Sequence, residues 1–101
     1  MTNEVRFHPL AEIDLDGIYD WIAEDNPASA IEFVRGLKAL CLSLSLFPQG
    51  GRKRPELGRH VRSLSYRRRA IMTYQMTDDS IRILRIFYAG YNMTELDFPE
   101  L

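Results

Sequence analysis

With 101 residues the chain has room for one hydrophobic core, and its ordinary apolar share of 46% excludes wholesale disorder. No apolar run approaches the roughly 20 residues needed to cross a bilayer, so a spanning helix is not expected. The formal charge of −1 conceals a strong asymmetry: residues 52–69 carry eight Lys/Arg against one acid, between two segments that are each net acidic.

The first element is a strand. "EVRFHP" alternates Val5 and Phe7 with Arg6 and His8, the period of a half-buried strand, and Pro9 ends it and opens a helix. In "LAEIDLDGIYDWIAED", Ala11, Leu15, Ile18 and Ile22 form one apolar face, with Glu12, Asp16 and Asp20 along another side. Tyr19 and Trp21 flank that face and read as core filling. Asn26 and Pro27 then supply an N-cap and a first helical residue for a longer helix, expected over residues 27 to 46. Its apolar positions are Ala30, Phe33, Leu37, Leu40, Leu44 and Phe47, while Ile31, Val34 and Cys41 lie off that main face. Two such helices with a short connection form an antiparallel hairpin.

"FPQGG" terminates the hairpin, and three strand candidates follow the basic stretch. "HVRSLSY" is the first. "RAIMTYQM" alternates Ala70, Met72, Tyr74 and Met76 against Ile71, Thr73 and Gln75, and "TDDS" is a hairpin turn. "IRILRIFY" is apolar on both faces, as a central strand would be. The tail "AGYNMTELDFPEL" reads as a loop with one turn of helix. The order β-α-α-β-β-β predicts a single α+β domain over residues 1–101: an N-terminal strand, an antiparallel helical hairpin and a mostly antiparallel sheet of three further strands.

Catalytic signatures are absent from this pattern: no glycine-rich phosphate loop, no HExxH, no paired cysteines, no GxSxG. His8 and His60 stand alone and read as structural or solvated. Asp14, Asp16, Asp20, Glu24 and Asp25 spread around the first helix as a solvated face, so neither a metal nor a cofactor nor a catalytic residue is expected. Cys41 has no disulfide partner and sits in an apolar helical pattern. With no secretory signal visible in "MTNEVRFHPL", a reducing, cytoplasmic setting is expected.

The basic band points to binding. It is of one sign, it spans a loop and the starts of two strands, and it favours Arg over Lys seven to one, which suits forks with phosphate or carboxylate. Its residues are Arg52, Lys53, Arg54, Arg59, Arg62, Arg67, Arg68 and Arg69. Arg85 joins them as a charge on an otherwise apolar strand, where it needs either an open surface or an acid of the hairpin.

Together "AEIDLDGIYDWIAEDNP", "ASAIEFVRGLKAL", "FPQGGRKRPEL", "VRSLSYRRRAIMTYQM" and "IRILRIFYAG" resemble the ParE branch of the RelE/ParE superfamily, toxins of bacterial type II toxin–antitoxin modules. The resemblance covers residues 5 to about 92. It implies a cognate antitoxin whose C-terminal segment, disordered alone, folds on the hairpin and the sheet edge in a hetero-oligomer, with Ile31, Val34 and Leu37 as expected contacts. It implies a target too: DNA gyrase for ParE-like members, the ribosome and mRNA for RelE-like members that cut messages. Aligned on Tyr74, the nuclease's mid-strand arginine falls at Ile71 and the arginine after its last strand at Tyr91. Without those cations the expectation is a non-catalytic toxin that binds gyrase. A ribosome-dependent endonuclease and a non-toxic antitoxin-binding relative are the alternatives. ParE-like chains often end the last strand with a "HGARD"-like run. Here "YAGYN" places Tyr88, Tyr91 and Asn92 there, a candidate tail site.

Overall fold

The computed structural model describes residues 4–92. In chain order they form β1 (Glu4–Phe7), α1 (Pro9–Ala23), α2 (Pro27–Ser43), β2 (Arg52–Lys53), a 3-10 turn (Pro55–Leu57), β3 (Val61–Tyr66), β4 (Ala70–Met76) and β5 (Ser80–Tyr88). The expected α+β order holds, with one addition. The sheet has five strands in the order β1-β5-β4-β3-β2, with β1 parallel to β5 and each other pair antiparallel. The extra strand, β2, is two charged residues that pair with Ser63 and Arg62 of β3. The helical turn expected in the tail lies outside the described residues.

Local chemistry sets the helix ends. His8 caps α1 with Nδ1, which accepts from the Leu10 N–H at 3.0 Å, and Asn26 caps α2 by accepting from the Ser29 N–H at 3.1 Å. α2 stops at Ser43, short of its expected end. There the Ser43 hydroxyl bonds the Leu40 carbonyl, and the following amides fall back to i−3 carbonyls, which tightens the chain out of the helix. Leu46 and Phe47, expected on the second helix, lie beyond it and are exposed.

Both helices cover one face of the sheet. Ala11, Leu15 and Ile18 of α1 and Phe33, Leu37 and Cys41 of α2 pack against Met72, Tyr74, Ile81, Ile83 and Ile86. β5 changes phase midway: Tyr74 pairs with Ile83 but Thr73 with Arg85, so Leu84 is an extra residue. This bulge brings Ile86 rather than Arg85 into the core. Had the two-residue period continued, Arg85 would have followed Ile81 and Ile83 inward.

Candidate functional site

Where β1 ends, side chains of other elements seal the free edge of β5. Among the described residues the last backbone bond to β5 from this side is His8 N–H to the Ile83 carbonyl at 2.8 Å. Beyond it, Asp14 accepts from the Ile86 N–H at 2.9 Å and from Arg85 through both oxygens, Nε at 2.8 Å and Nη2 at 3.1 Å. Asn92 accepts from the Tyr88 N–H at 2.7 Å and donates to the Ile86 carbonyl at 2.9 Å. Asp14 therefore does not belong to a solvated face. It is only 6% exposed, because an unpaired strand edge under a helix needs an acceptor. Arg85 takes the internal partner rather than the open surface. Its hydrogen bonds to Asp14 raise its pKa further above the ordinary arginine value, and its guanidinium also lies 5.1 Å from the Phe87 ring centroid.

The three tail residues have separate structural engagements. Tyr88 sets its ring edge-on to Phe33 at 5.3 Å. Tyr91 crosses to α1, where Gly17 leaves room for it: a Cβ there would collide with the Tyr91 hydroxyl. Its ring lies 5.9 Å from that of Trp21, which is half-exposed rather than core filling. Asn92 is the clip on the β5 edge. Of the two positions aligned with nuclease cations, Ile71 is buried in β4 and Tyr91 is laid over Gly17.

The basic band is contiguous in sequence but divided in space. β3 runs six residues, roughly 20 Å, between its two halves. At one end, Arg54 donates to the Ser63 hydroxyl at 3.2 Å and to Glu56 at 2.8 Å, and its hydrogen bond to Glu56 holds that carboxyl below its ordinary value. Arg62 donates to the Gly51 and Gln49 carbonyls at 2.9 and 3.4 Å. The Tyr74 hydroxyl accepts from the Gly51 N–H at 2.7 Å and donates to the Pro48 carbonyl at 3.0 Å, while burial pushes its pKa up. Arg62 and Tyr74 thus fix the loop that leads into β2. A cleft of about 320 Å³ opens beside them, lined by Lys53, Arg59, His60 and Arg62 together with Pro55, Gly58, Val61 and Met76.

At the other end, Arg67 and Arg68 occupy the two central positions of the β3–β4 turn with φ of 51° and 55°. That left-handed backbone ordinarily selects Asn and Gly, so two consecutive arginines are a strained choice. Arg67 lies over the Tyr66 ring and 3.9 Å from Glu32 of α2. With Arg69, Ser29, Phe33 and Tyr88 these two residues line a second cleft of about 420 Å³.

The family model of the ParE toxin of type II toxin–antitoxin systems, parDE, matches residues 5–92. The chain belongs to the ParE toxin family. Among solved structures it is similar to the chromosomal ParDE toxin–antitoxin system from P. aeruginosa, with a TM-score of 0.74 and 25% identity over 88% of this chain and 98% of that one. It is also similar to the toxin–antitoxin complex RelBE2 from Mycobacterium tuberculosis, with a TM-score of 0.57 and 26% identity over 88% and 100%. A conserved hypothetical protein from Helicobacter pylori, 15% identical, shares the fold at a TM-score of 0.50 over 92% and 100%. No curated protein matches the sequence. Among the described residues no helix is long and apolar enough to cross a membrane.

Within a ParE-family chain the expected antitoxin contacts need revision. Leu37 is fully buried, because Phe33, Leu37, Cys41 and Leu44 form the core face of α2. Cys41, expected off the main face, lies on it as well. Val34 is partly buried against the core, and Ile31 alone of the three expected contacts is exposed. The sequence reading missed a more extended apolar surface on α1, where Leu10, Ile13 and Trp21 stand half-exposed or more, beside Tyr91. Their spacing of three and eight residues is helical and was legible as a second stripe.

Proposed function

We propose that this ParE-family toxin arrests growth by binding DNA gyrase, and that a cognate antitoxin neutralises it by folding onto its surface. The observation that carries the reading is Ile71. A messenger-cutting relative needs a cation at that position, and here it is an aliphatic side chain with 3% exposure. At the second such position Tyr91 is held against α1. Charge developing on a transferring phosphate would find no stabiliser from either residue. The arginines at the two ends of β3 suit an extended partner better than a single bond to be cut. A partner protein is supported by the likeness to a ParDE system and to a RelBE2 toxin–antitoxin complex.

Induced expression in a bacterial host tests the reading. Filamentation with DNA damage and intact messages is the expected phenotype. Codon-specific message cleavage on ribosomes would replace it with the nuclease reading, and normal growth with that of a non-toxic, antitoxin-binding relative.

A further inference from the structure

The cleft beside β2 has a chemistry of its own. Arg62 holds a fixed charge on its wall, since the Gly51 and Gln49 carbonyls restrain the guanidinium. Lys53 and Arg59 are exposed, and neither has an ion pair among the described residues. Glu56, the acid of the neighbouring 3-10 turn, is engaged by Arg54 and does not line the cleft. Three cationic residues therefore line one opening, with no carboxylate among the described residues that line it, an arrangement that selects an anion.

The rest of the wall is apolar. Val61, Met76 and Pro55 supply it, and the exposed His60 also lines the cleft with φ of 61°, its carbonyl accepting from the Met76 N–H at 3.2 Å. A small inorganic anion would leave that apolar surface unused. The volume, about 320 Å³, lies at the lower end of the roughly 300–1,000 Å³ typical of small-molecule sites. From these features we infer that the cleft is a nucleotide site: a phosphate seated among Lys53, Arg59 and Arg62, and a base laid against Pro55 and Met76, over the buried Val61 and beside the His60 imidazole. Phosphate held by cations with the base stacked on a flat or apolar side chain is the general form of nucleotide recognition without base-edge readout. The inference rests on the cleft alone and holds whichever macromolecule the toxin attacks.

The test is titration of the purified protein with adenosine monophosphate, adenosine, inorganic phosphate and a short single-stranded oligonucleotide, followed by NMR at the Met76 and Val61 methyls and the His60 ring. Adenosine monophosphate is expected to shift all three, with phosphate or adenosine alone far weaker. Tighter binding of the oligonucleotide identifies a nucleic-acid strand as the source, and equal or weaker binding identifies a free nucleotide; both support the site. Lys53→Glu with Arg59→Glu is expected to weaken binding about tenfold or more. If charge reversal disturbs the melting transition, Lys53→Gln with Arg59→Gln is read instead. Equal shifts from phosphate and adenosine monophosphate, no shift at the Met76 and Val61 methyls, or preference for an acidic peptide would each overturn the inference.

Discussion

Asp14 of α1 and Arg85 of β5, 71 positions apart in sequence, form a two-point ion pair at the place where β1 leaves the sheet. The same carboxylate accepts the Ile86 N–H, so one side chain closes the backbone edge and neutralises Arg85. The two partners are not equivalent. The Asp14 side chain is 7% exposed and that of Arg85 39%, so an orphaned Arg85 rehydrates whereas an orphaned Asp14 cannot.

Removing either partner tests this edge seal. Asp14→Ala frees the buried Ile86 N–H as well as Arg85 and is expected to cost about 3 kcal/mol. Arg85→Ala strands the buried Asp14 carboxylate with only its Ile86 and Asn92 contacts and is expected to cost at least as much, about 3–4 kcal/mol, and the double variant much less than the sum. Urea midpoints of the four proteins provide the measurement. Additive losses would mean that the pair does not act as a unit.

The loop entering β2 depends on Tyr74. Tyr74→Phe removes two hydrogen bonds and leaves the buried Gly51 N–H unpaired, for a loss of about 1–3 kcal/mol. Gly51→Ala is expected to be at least as damaging, because its Cβ would lie 2.5 Å from the Tyr74 hydroxyl and 2.8 Å from the Ser63 carbonyl oxygen. The readout is thermal melting together with amide exchange at Gly51, which is expected to accelerate in Tyr74→Phe. Unchanged exchange would remove Tyr74 as the anchor.

Alkali should unfold the protein through its buried acids. Burial pushes the Cys41 thiol from 9.0 up to about 12 and raises the Tyr74 phenol. For the thiol, a folded pKa above the unfolded one gives stability that is complete below pH 9. That stability is lost as the unfolded chain, but not the folded one, ionises between 9 and 12. Cys41→Ala, whatever its cost at neutral pH, is expected to flatten the decline of melting temperature over that window. The native thiol is also expected to resist alkylation until the chain unfolds, and rapid labelling of folded protein would contradict its burial.

The β3–β4 turn should show a trade between stability and activity. Replacing its two left-handed arginines with the residues that turn prefers, Arg67→Asn and Arg68→Gly, is expected to stabilise the fold by roughly 1–2 kcal/mol. Growth arrest is expected to weaken in the same variant. A variant that is stabilised and fully toxic would show that the strained turn serves no partner.

Much of this architecture was legible in residue periods. Val5 and Phe7, the stripe of α1 and the alternation of β4 announced their elements, and Asn26–Pro27 marked a helix start to the residue. β2 was not legible, because Arg52 and Lys53 are strand only by virtue of pairing with β3. The bulge was present in the spacing of Ile81, Ile83 and Ile86, a step of two followed by three, but "IRILRIFY" is apolar enough to hide it. Asp14 was misread for want of a partner. It stands three after Ala11 and four before Ile18, on the apolar stripe itself, and only the fold shows the free edge of β5 above it. The basic band misled in the opposite sense, since neighbours in sequence lie at the two ends of a strand.

On the function proposed above, this ParE-family chain acts on gyrase and leaves messages alone. The most direct test of that function is a supercoiling assay with purified gyrase, relaxed plasmid and the purified toxin across a range of salt. Dose-dependent loss of supercoiling with accumulation of gyrase-linked DNA breaks is expected, weakening steeply as salt rises. A protein that arrests growth in cells yet leaves supercoiling complete at every concentration would contradict it.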